Sequence, residues 1–231
     1  SGLAAIEGHP AVNVGSEEGP DVQQIPFTNA HQFFSVNEPG GKPVPRRTSV
    51  ELTNCLSCHQ SLVLHGNNRT DNIDVCVACH NPRNTDIGVR KVAVTPPTDG
   101  KDEESLDMKQ MIHGIHAGAM RQNPLQIVGF RGFTTYVFEE PYPGNLANCV
   151  GCHTDDGYTL PLASGVLGTT VDTGASPSPD DDKVMSPATA VCSSCHDGEE
   201  AGAHMVTNGG SFSTTQQAID SGEVVEQCTI C

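Results

Sequence analysis

Apolar positions in this chain rarely keep a single period for long. The clearest exception is residues 105–120, where Leu106, Ile112 and Ile115 recur at roughly helical spacing. That stretch predicts a helix with Ser105 as its N-cap and Gly118 as its stop. Between residues 126 and 139 the pattern changes. Ile127-Val128-Gly129-Phe130, the break at Arg131-Gly132 and the run 133–138 predict a β-hairpin. Before residue 50 only 25–27 and 33–36 read as strand-like, and Gly and Pro interrupt them, which is too little to close a sheet. Residues 159–190, rich in Gly, Ser, Thr, Pro and Asp, predict a long surface loop. Its Asp180-Asp181-Asp182 run reads as a solvated acidic turn. Carboxylates also suit calcium, but the ordered spacing of a calcium loop is missing.

Composition sharpens the problem this patterning raises. The 231 residues allow one or two domains, yet there is no Trp, only 4% of residues are aromatic, and Gly and Pro number 24 and 16. Such a chain cannot easily bury enough apolar side chain to offset the entropy of ordering it. Something other than side chains must contribute to the core.

The ten cysteines point to what that is, because all fall in Cys-x-x-Cys pairs: Cys55/Cys58, Cys76/Cys79, Cys149/Cys152, Cys192/Cys195 and Cys228/Cys231. In the first four, histidine follows at once: His59, His80, His153 and His196. This is the attachment pattern of c-type haem. Two thiols reach the two vinyl groups of one porphyrin, and the adjacent imidazole meets the iron as proximal ligand. Zinc accounts for paired cysteines but gives no reason for the histidines, and five pairs is an awkward number for tetrahedral sites. A disulfide framework would not place every cysteine two residues from its neighbour, and a thioredoxin-like pair would occur once. The sequence therefore carries four complete haem c sites and a fifth pair at its end, which reads as a fragment. The fold class expected is a multihaem cytochrome c, with irregular loops and a few short helices wrapped around haems. A β-rich arm at 1–50 precedes the haem domain at 51–231.

Six-coordinate iron needs a second ligand. His65 follows the first motif closely, His204 follows the fourth, and His113 and His116 stand three apart on the predicted helix, on one face but diverging enough to serve two haems. These four are the candidate distal ligands. His9 and His31 lie in the cysteine-free arm, where each could ligate a haem or reach a neighbouring subunit. Met108, Met111, Met120, Met185 and Met205 are alternatives that would raise the potential, but the surplus of histidine favours bis-His iron. Arg46, Arg47, Arg69 and Arg83 read as solvated, with propionate pairing as the rarer alternative.

A formal net charge of −16 argues against nucleic acid and anionic lipid as partners. No apolar run is long enough to span a membrane and no signal peptide is visible. Covalent haem attachment nevertheless places maturation outside the cytoplasm, so membrane association would come through other segments or partners.

The order of CLSCHQSLVLHGNNRTDNIDVCVACHNPRNTD at 55–86, MKQMIHGIHAG at 108–118, YPGNLANCVGCH ending at His153 and VCSSCHDG at 191–198 resembles the C-terminal pentahaem domain of OmcA/MtrC-type outer-membrane decahaem cytochromes. The resemblance spans roughly 48–231 and makes the first 50 residues look like the end of the β-barrel domain that precedes that haem domain. It implies extracellular electron transfer at the outer face of the outer membrane, with other cytochromes, metal oxides, metal ions or flavins as redox partners. It also carries distal roles onto His65, His113, His116 and His204. Two alternatives stand beside it. One is a multihaem reductase with an open haem site, although no Cys-x-x-Cys-Lys motif is present. The other is a subunit of a cytochrome filament.

Overall fold

The computed structural model describes residues 1–16 and 18–229. They form two compact units, Ser1–Cys79 with Cys149–Tyr158, and His80–Asn148 with Thr159–Cys231. The secondary structure is short helices and two-stranded hairpins throughout.

The first unit begins with nested antiparallel pairs. β1 (Gly2–Ala5) pairs with β4 (His31–Phe34), and between them β2 (Ala11–Asn13) pairs with β3 (Val22–Gln24). Gly2 is needed at its position, since a Cβ there would lie 2.4 Å from the Phe34 ring. The expected run at 33–36 is thus an earlier strand ending at Phe34, whereas 25–27 forms no strand. After α1 (Leu52–Cys55) come a hairpin, β5 (Val63–Leu64) and β6 (Arg69–Thr70), and then α2 (Ile73–Cys79). The hairpin turn runs through three successive left-handed residues, His65, Gly66 and Asn67, and two of those are types that adopt this conformation readily.

Asn29 ties the arm to this hairpin. Only 2% exposed, it accepts from Thr70 N–H at 2.7 Å and donates through Nδ2 to Asn68 O at 3.0 Å. Arg69 pairs with Glu7 at 2.8 Å. Among the described residues of this unit, Val75 is the one buried apolar side chain.

The second unit has a conventional, if small, core. Met111 of α4 (Met108–Ala117) and Leu106, just ahead of the helix, pack against Leu125 and Ile127 of β7 (Leu125–Val128). β7 pairs with β8 (Thr135–Phe138), with Leu125 opposite Phe138 and Val128 opposite Thr135, as the predicted hairpin requires. The helix falls within the expected span and stops at Gly118, but its N-cap is Asp107, whose side chain accepts from Lys109 N–H. Ser105 sits upstream in a bridge to Thr85, and its hydroxyl accepts from Asp107 N–H at 3.2 Å. A 3-10 turn, Gly118–Met120, follows.

Beside the apolar cluster lies a buried polar one. Asp86, fully buried, accepts from Glu104 N–H, Val128 N–H and Arg90, the last residue of α3 (Ile87–Arg90). Arg90 also donates to the carbonyls of Lys101 and Gln126 and pairs with Asp99.

The long surface loop expected at 159–190 is not what forms. β9 (Thr169–Asp172) pairs with β10 (Lys183–Met185), and α5 (Pro187–Ser193) starts within the range. Thr169 and Thr170 are buried because their partners are polar: Thr169 Oγ donates to Asp107 at 2.6 Å, and Thr170 N–H donates to Pro82 O at 2.8 Å. Hydrogen bonds rather than apolar periodicity fix these strands. α6 (Glu199–Thr207) and α7 (Gln216–Asp220) complete the unit.

The acidic run caps its own turn. Asp181 accepts from the N–H groups of Ala175 and Ser176, and Asp180 accepts from the Ser178 hydroxyl. Among the described residues no group of three or more His, Cys, Asp or Glu is placed to hold a metal ion.

Burial raises the Asp182 carboxyl above the ordinary carboxylate range, and Asp181, Glu103 and Asp172 add to this against the opposing Arg83. A raised native pKa means the native state holds the proton more tightly. Its contribution is therefore full below the unfolded pKa and is lost as pH rises through the native one. Asp182→Asn should raise Tm by about 2 °C at pH 7 and lose that gain below about pH 4. A thermal-melt series over pH in which the variant is less stable at pH 7 would refute this.

Several large apolar residues are exposed, including Ile6, Val44, Val94, Met120 and Phe130. No helix among the described residues is long and apolar enough to cross a membrane.

Candidate haem-binding sites

The Cys-x-x-Cys-His segments take up one local geometry. In the first motif the Cys55 carbonyl accepts from Cys58 N–H at 3.2 Å and from His59 N–H at 3.0 Å. Cys149 does the same for Cys152 and His153 at 3.2 and 2.9 Å, and Cys192 for Cys195 and His196 at 3.2 and 2.9 Å. Each is a single helical turn. Residues three and four apart share a face of such a turn, so both thiols and the imidazole start from one side of the chain. Cys76 and Cys79 lie within α2, with His80 directly after it. Of the fifth pair, Cys228 is described and Cys231 lies outside the described residues.

Histidine ring geometry gives a second regularity. Nδ1 of His80 lies 3.0 Å from Leu106 O, Nδ1 of His116 lies 2.8 Å from Ile112 O, and Nδ1 of His113 lies 2.5 Å from Lys109 O. A carbonyl only accepts, so Nδ1 carries the proton and Nε2 is the basic nitrogen. Metal-ligating imidazoles characteristically have this tautomer, with the other N–H given to a carbonyl. In His113 and His116 the acceptor is one helical turn back, so α4 orients both rings by itself. Tyr142 stands edge-on to His116 at 5.5 Å.

Burial lowers the His153 pKa, opposed in part by the Ser49 backbone, which favours the neutral, ligand-competent ring. His59, His196 and His204 are exposed, and His65 is exposed at the tip of the β5–β6 turn. His31, by contrast, uses both ring nitrogens. Nδ1 accepts from Asn72 Nδ2 at 2.8 Å and Nε2 meets Asp74 at 3.2 Å. It fastens β4 to the start of α2. Met111, Met185 and Met205 are core residues.

Motifs distant in sequence are neighbours in space. In the first unit Asn54 Nδ2 donates to Cys152 O at 3.2 Å, and Val50 bridges His153. Burial pushes the Cys55 thiol above its ordinary pKa, and the charge of Cys152 adds to the rise. Burial also raises Cys76, whose thiol feels Cys79, Arg69 and Cys55. In the second unit burial raises Cys192, and Cys228 adds to it.

Three residues that sequence reading passed over position the fourth motif. Arg121 donates to the carbonyls of Ser193 and Ser194 at the C-terminal end of α5, where a cation suits the helix dipole, and also to Asn123 O. It faces Asp197, the residue after His196, at 3.7 Å. Asp197 accepts from Gln122 N–H at 2.9 Å and Asn123 N–H at 2.7 Å. Burial alone would raise its pKa, but these N–H groups and Arg121 hold it below the ordinary range. Glu226 closes the opposite end of α5, accepting from Ala188 N–H and Thr189 N–H at 2.7 Å each. No periodicity announces such residues; their chain neighbours are ordinary surface polar residues.

Met120, Gln122 and Cys195–Glu200 line a groove of about 420 Å³ beside His196. It lies on the same side as the fourth thiol pair, whose Cys195 Sγ is 4.0 Å from His113 O.

The family described as outer membrane cytochrome MtrC/MtrF-like, domains II/IV, matches residues 47–231. The chain belongs to that family. MtrC/MtrF-like proteins are multihaem c-type cytochromes of the outer membrane that take part in electron transfer. The crystal structure of MtrC from Shewanella baltica OS185 is similar to this chain at 19% identity and a TM-score of 0.49, covering 99% of this chain and 33% of that one. The present chain thus spans about a third of that protein's length. No curated protein matches the chain.

Proposed function

We propose that this chain is a multihaem electron conduit, in which c haems sit close enough for electrons to hop along it, working in extracellular electron transfer to metal oxides, metal ions or flavins. The observation that carries this reading is the repeated helical turn at the Cys-x-x-Cys-His motifs, which puts two thiols and one imidazole on a common face. The thiols are Cys55/Cys58, Cys76/Cys79, Cys149/Cys152, Cys192/Cys195 and Cys228/Cys231, the proximal ligands His59, His80, His153 and His196, and the distal ligands His65, His113, His116 and His204.

The first unit supports the presence of haem in another way. With Val75 as the one buried apolar side chain among its described residues, it needs large apolar surfaces that those residues do not supply. Haem faces are such surfaces, and the chain would wrap them. The arm at 1–50 would then be the end of a β-barrel domain and 51–231 the haem domain.

Bound haem supplies one-electron redox chemistry, and the protein sets spacing, ligands and burial. The Nδ1–H bonds of His80, His113 and His116 fix the tautomer and orientation of each ring and leave Nε2 as the nitrogen that would ligate. Arg121 and Asp197 fix the turn that carries His196. Neighbouring thiol pairs, Cys55 beside Cys152 and Cys192 beside Cys228, are the placement that short hops require. The location in this reading is the extracellular face of the outer membrane, and the partners are other cytochromes, metal oxides, metal ions and flavins.

Intact mass of the denatured chain counts the attached haems directly, and five are expected. Reduced protein mixed with ferric citrate or an oxidised flavin in a stopped-flow cell should be reoxidised. A chain without covalent haem, or one that stays reduced against both oxidants, would overturn the reading. Carbon monoxide binding to the native ferrous protein would instead indicate an open iron and a reductase.

A further inference from the structure

We propose that the buried carboxylates of Glu103 and Asp182 form a calcium site at the neck of the turn spanning 173–182. Both residues lie in the second unit, and neither belongs to a haem motif.

The pairing of β9 with β10 sets the geometry. Asp172 stands opposite Lys183 at the end of the ladder. One residue beyond it, the same register sets Thr173 against Asp182. Residues opposite one another in an antiparallel pair put their side chains on one face. Thr173 brings Glu103 to that face: its N–H and hydroxyl donate to Glu103 Oε1 at 2.9 and 3.1 Å. The charge of Glu103 accordingly acts on Asp182.

Both side chains belong to residues more than nine-tenths buried, Glu103 at 6% and Asp182 at 8% exposure. Glu103 Oε2 is buried and has no hydrogen-bond partner. No hydrogen bond or ion pair reaches the Asp182 carboxylate among the described residues. The adjoining acids are already engaged. Asp172 accepts from Gly174 N–H at 2.8 Å, Asp181 from Ala175 and Ser176 N–H, and Asp180 from the Ser178 hydroxyl. Two like charges buried side by side with open oxygens call for a cation. Calcium takes about six to eight oxygens in flexible geometry, and hydroxyl, carbonyl and water oxygens complete a shell that begins with two carboxylates. Magnesium demands near-ideal octahedral geometry, to which an irregular strand end is ill suited. With no third His, Cys, Asp or Glu placed to ligate among the described residues, the affinity should be that of a weak extracellular site, Kd on the order of 10⁻⁴ M.

The test uses the haem-loaded full chain, stripped with a chelator and titrated with calcium chloride in a calorimeter. One ion should bind, and about 5 mM calcium should raise Tm by about 5 °C. Glu103→Gln and Asp182→Asn should each weaken binding about tenfold or more and remove the shift, whereas Asp180→Asn should keep both. In chelator Asp182→Asn should melt above the wild type, and calcium should reverse that order. This variant decides the matter if Glu103→Gln does not fold. Absence of both binding heat and Tm shift in the wild type would overturn the proposal, as would binding retained in Asp182→Asn. An equal shift from magnesium at the same ionic strength would mean screening of the −16 net charge and would also overturn it. A chain without haem would instead be a failure of the electron-transfer reading, seen in the mass alone.

Discussion

Arg90→Met should lower the stability of the second unit by about 3–5 kcal/mol, the usual loss when one partner of a buried ion pair is removed. The Arg90 side chain is 3% exposed, and its partners Asp86 and Asp99 are 0% and 7% exposed. Its guanidinium links α3, the carbonyls of Lys101 and Gln126, and both carboxylates. Burial alone would lower the Arg90 pKa, but the bonds to Asp99 and Asp86 outweigh it and raise it. Methionine fills similar volume but leaves two buried carboxylates uncompensated. Asp86 would keep two N–H donors, from Glu104 and Val128, and Asp99 one, from Lys101, so Asp99 should account for the larger share of the loss. Adding Asp99→Asn should therefore recover part of it. Guanidinium unfolding followed by far-ultraviolet circular dichroism measures both effects, and a single-variant loss below about 1 kcal/mol would refute the assignment, since that is the range of an exposed pair.

The second large effect belongs to Glu226. Its carboxylate accepts from four donors: Ser186 Oγ, Thr189 Oγ and Thr189 N–H on Oε1, and Ala188 N–H on Oε2, all at 2.7 Å. Ser186 is the N-cap of α5 but makes no side-chain cap bond of its own, so the cap comes from a residue 40 positions away. Glu226→Ala should destabilise the unit by about 2–3 kcal/mol, the scale of hydrogen bonds to a charged group left unmade, and Glu226→Gln by less. The effect should also be local. Glu226 and the Gln227 N–H bond to Asn208 O, 2.8 Å, fasten the segment that leads to Cys228. Limited proteolysis should then cut after residue 208 faster in the alanine variant. Equal cutting rates, with an unchanged unfolding midpoint, would show that this carboxylate does not hold the segment.

These two networks also mark where sequence reading runs out. Arg90 and Glu226 occupy no motif and no apolar period, and their partners are scattered through the chain. The strands at Thr169–Asp172 and Lys183–Met185 were hidden for the same reason. Threonine and serine side chains bury there by meeting Asp107 and backbone groups, so a polar composition that reads as a loop becomes part of the interior. The hairpin at 125–138 and the helix carrying His113 and His116 were legible because local periodicity and glycine stops fix them. Even there, the cap moved from Ser105 to Asp107, since a bridge to Thr85 engages the former.

The sequence alone carried the signal for the chemistry: five cysteine pairs, four followed by histidine, and a spacing that any helical turn converts into a common face. Covalent attachment and ligation at a motif depend on residues within one turn, so no distant partner is needed to read them. Tertiary structure alone decided which motifs are neighbours. It put Cys55 beside Cys152 and Cys192 beside Cys228, consumed His31 in a polar contact and left the Nδ1 of His9 buried without one. Those outcomes rest on hydrogen bonds between segments far apart in the chain, and such bonds carry no signal until both segments are in place.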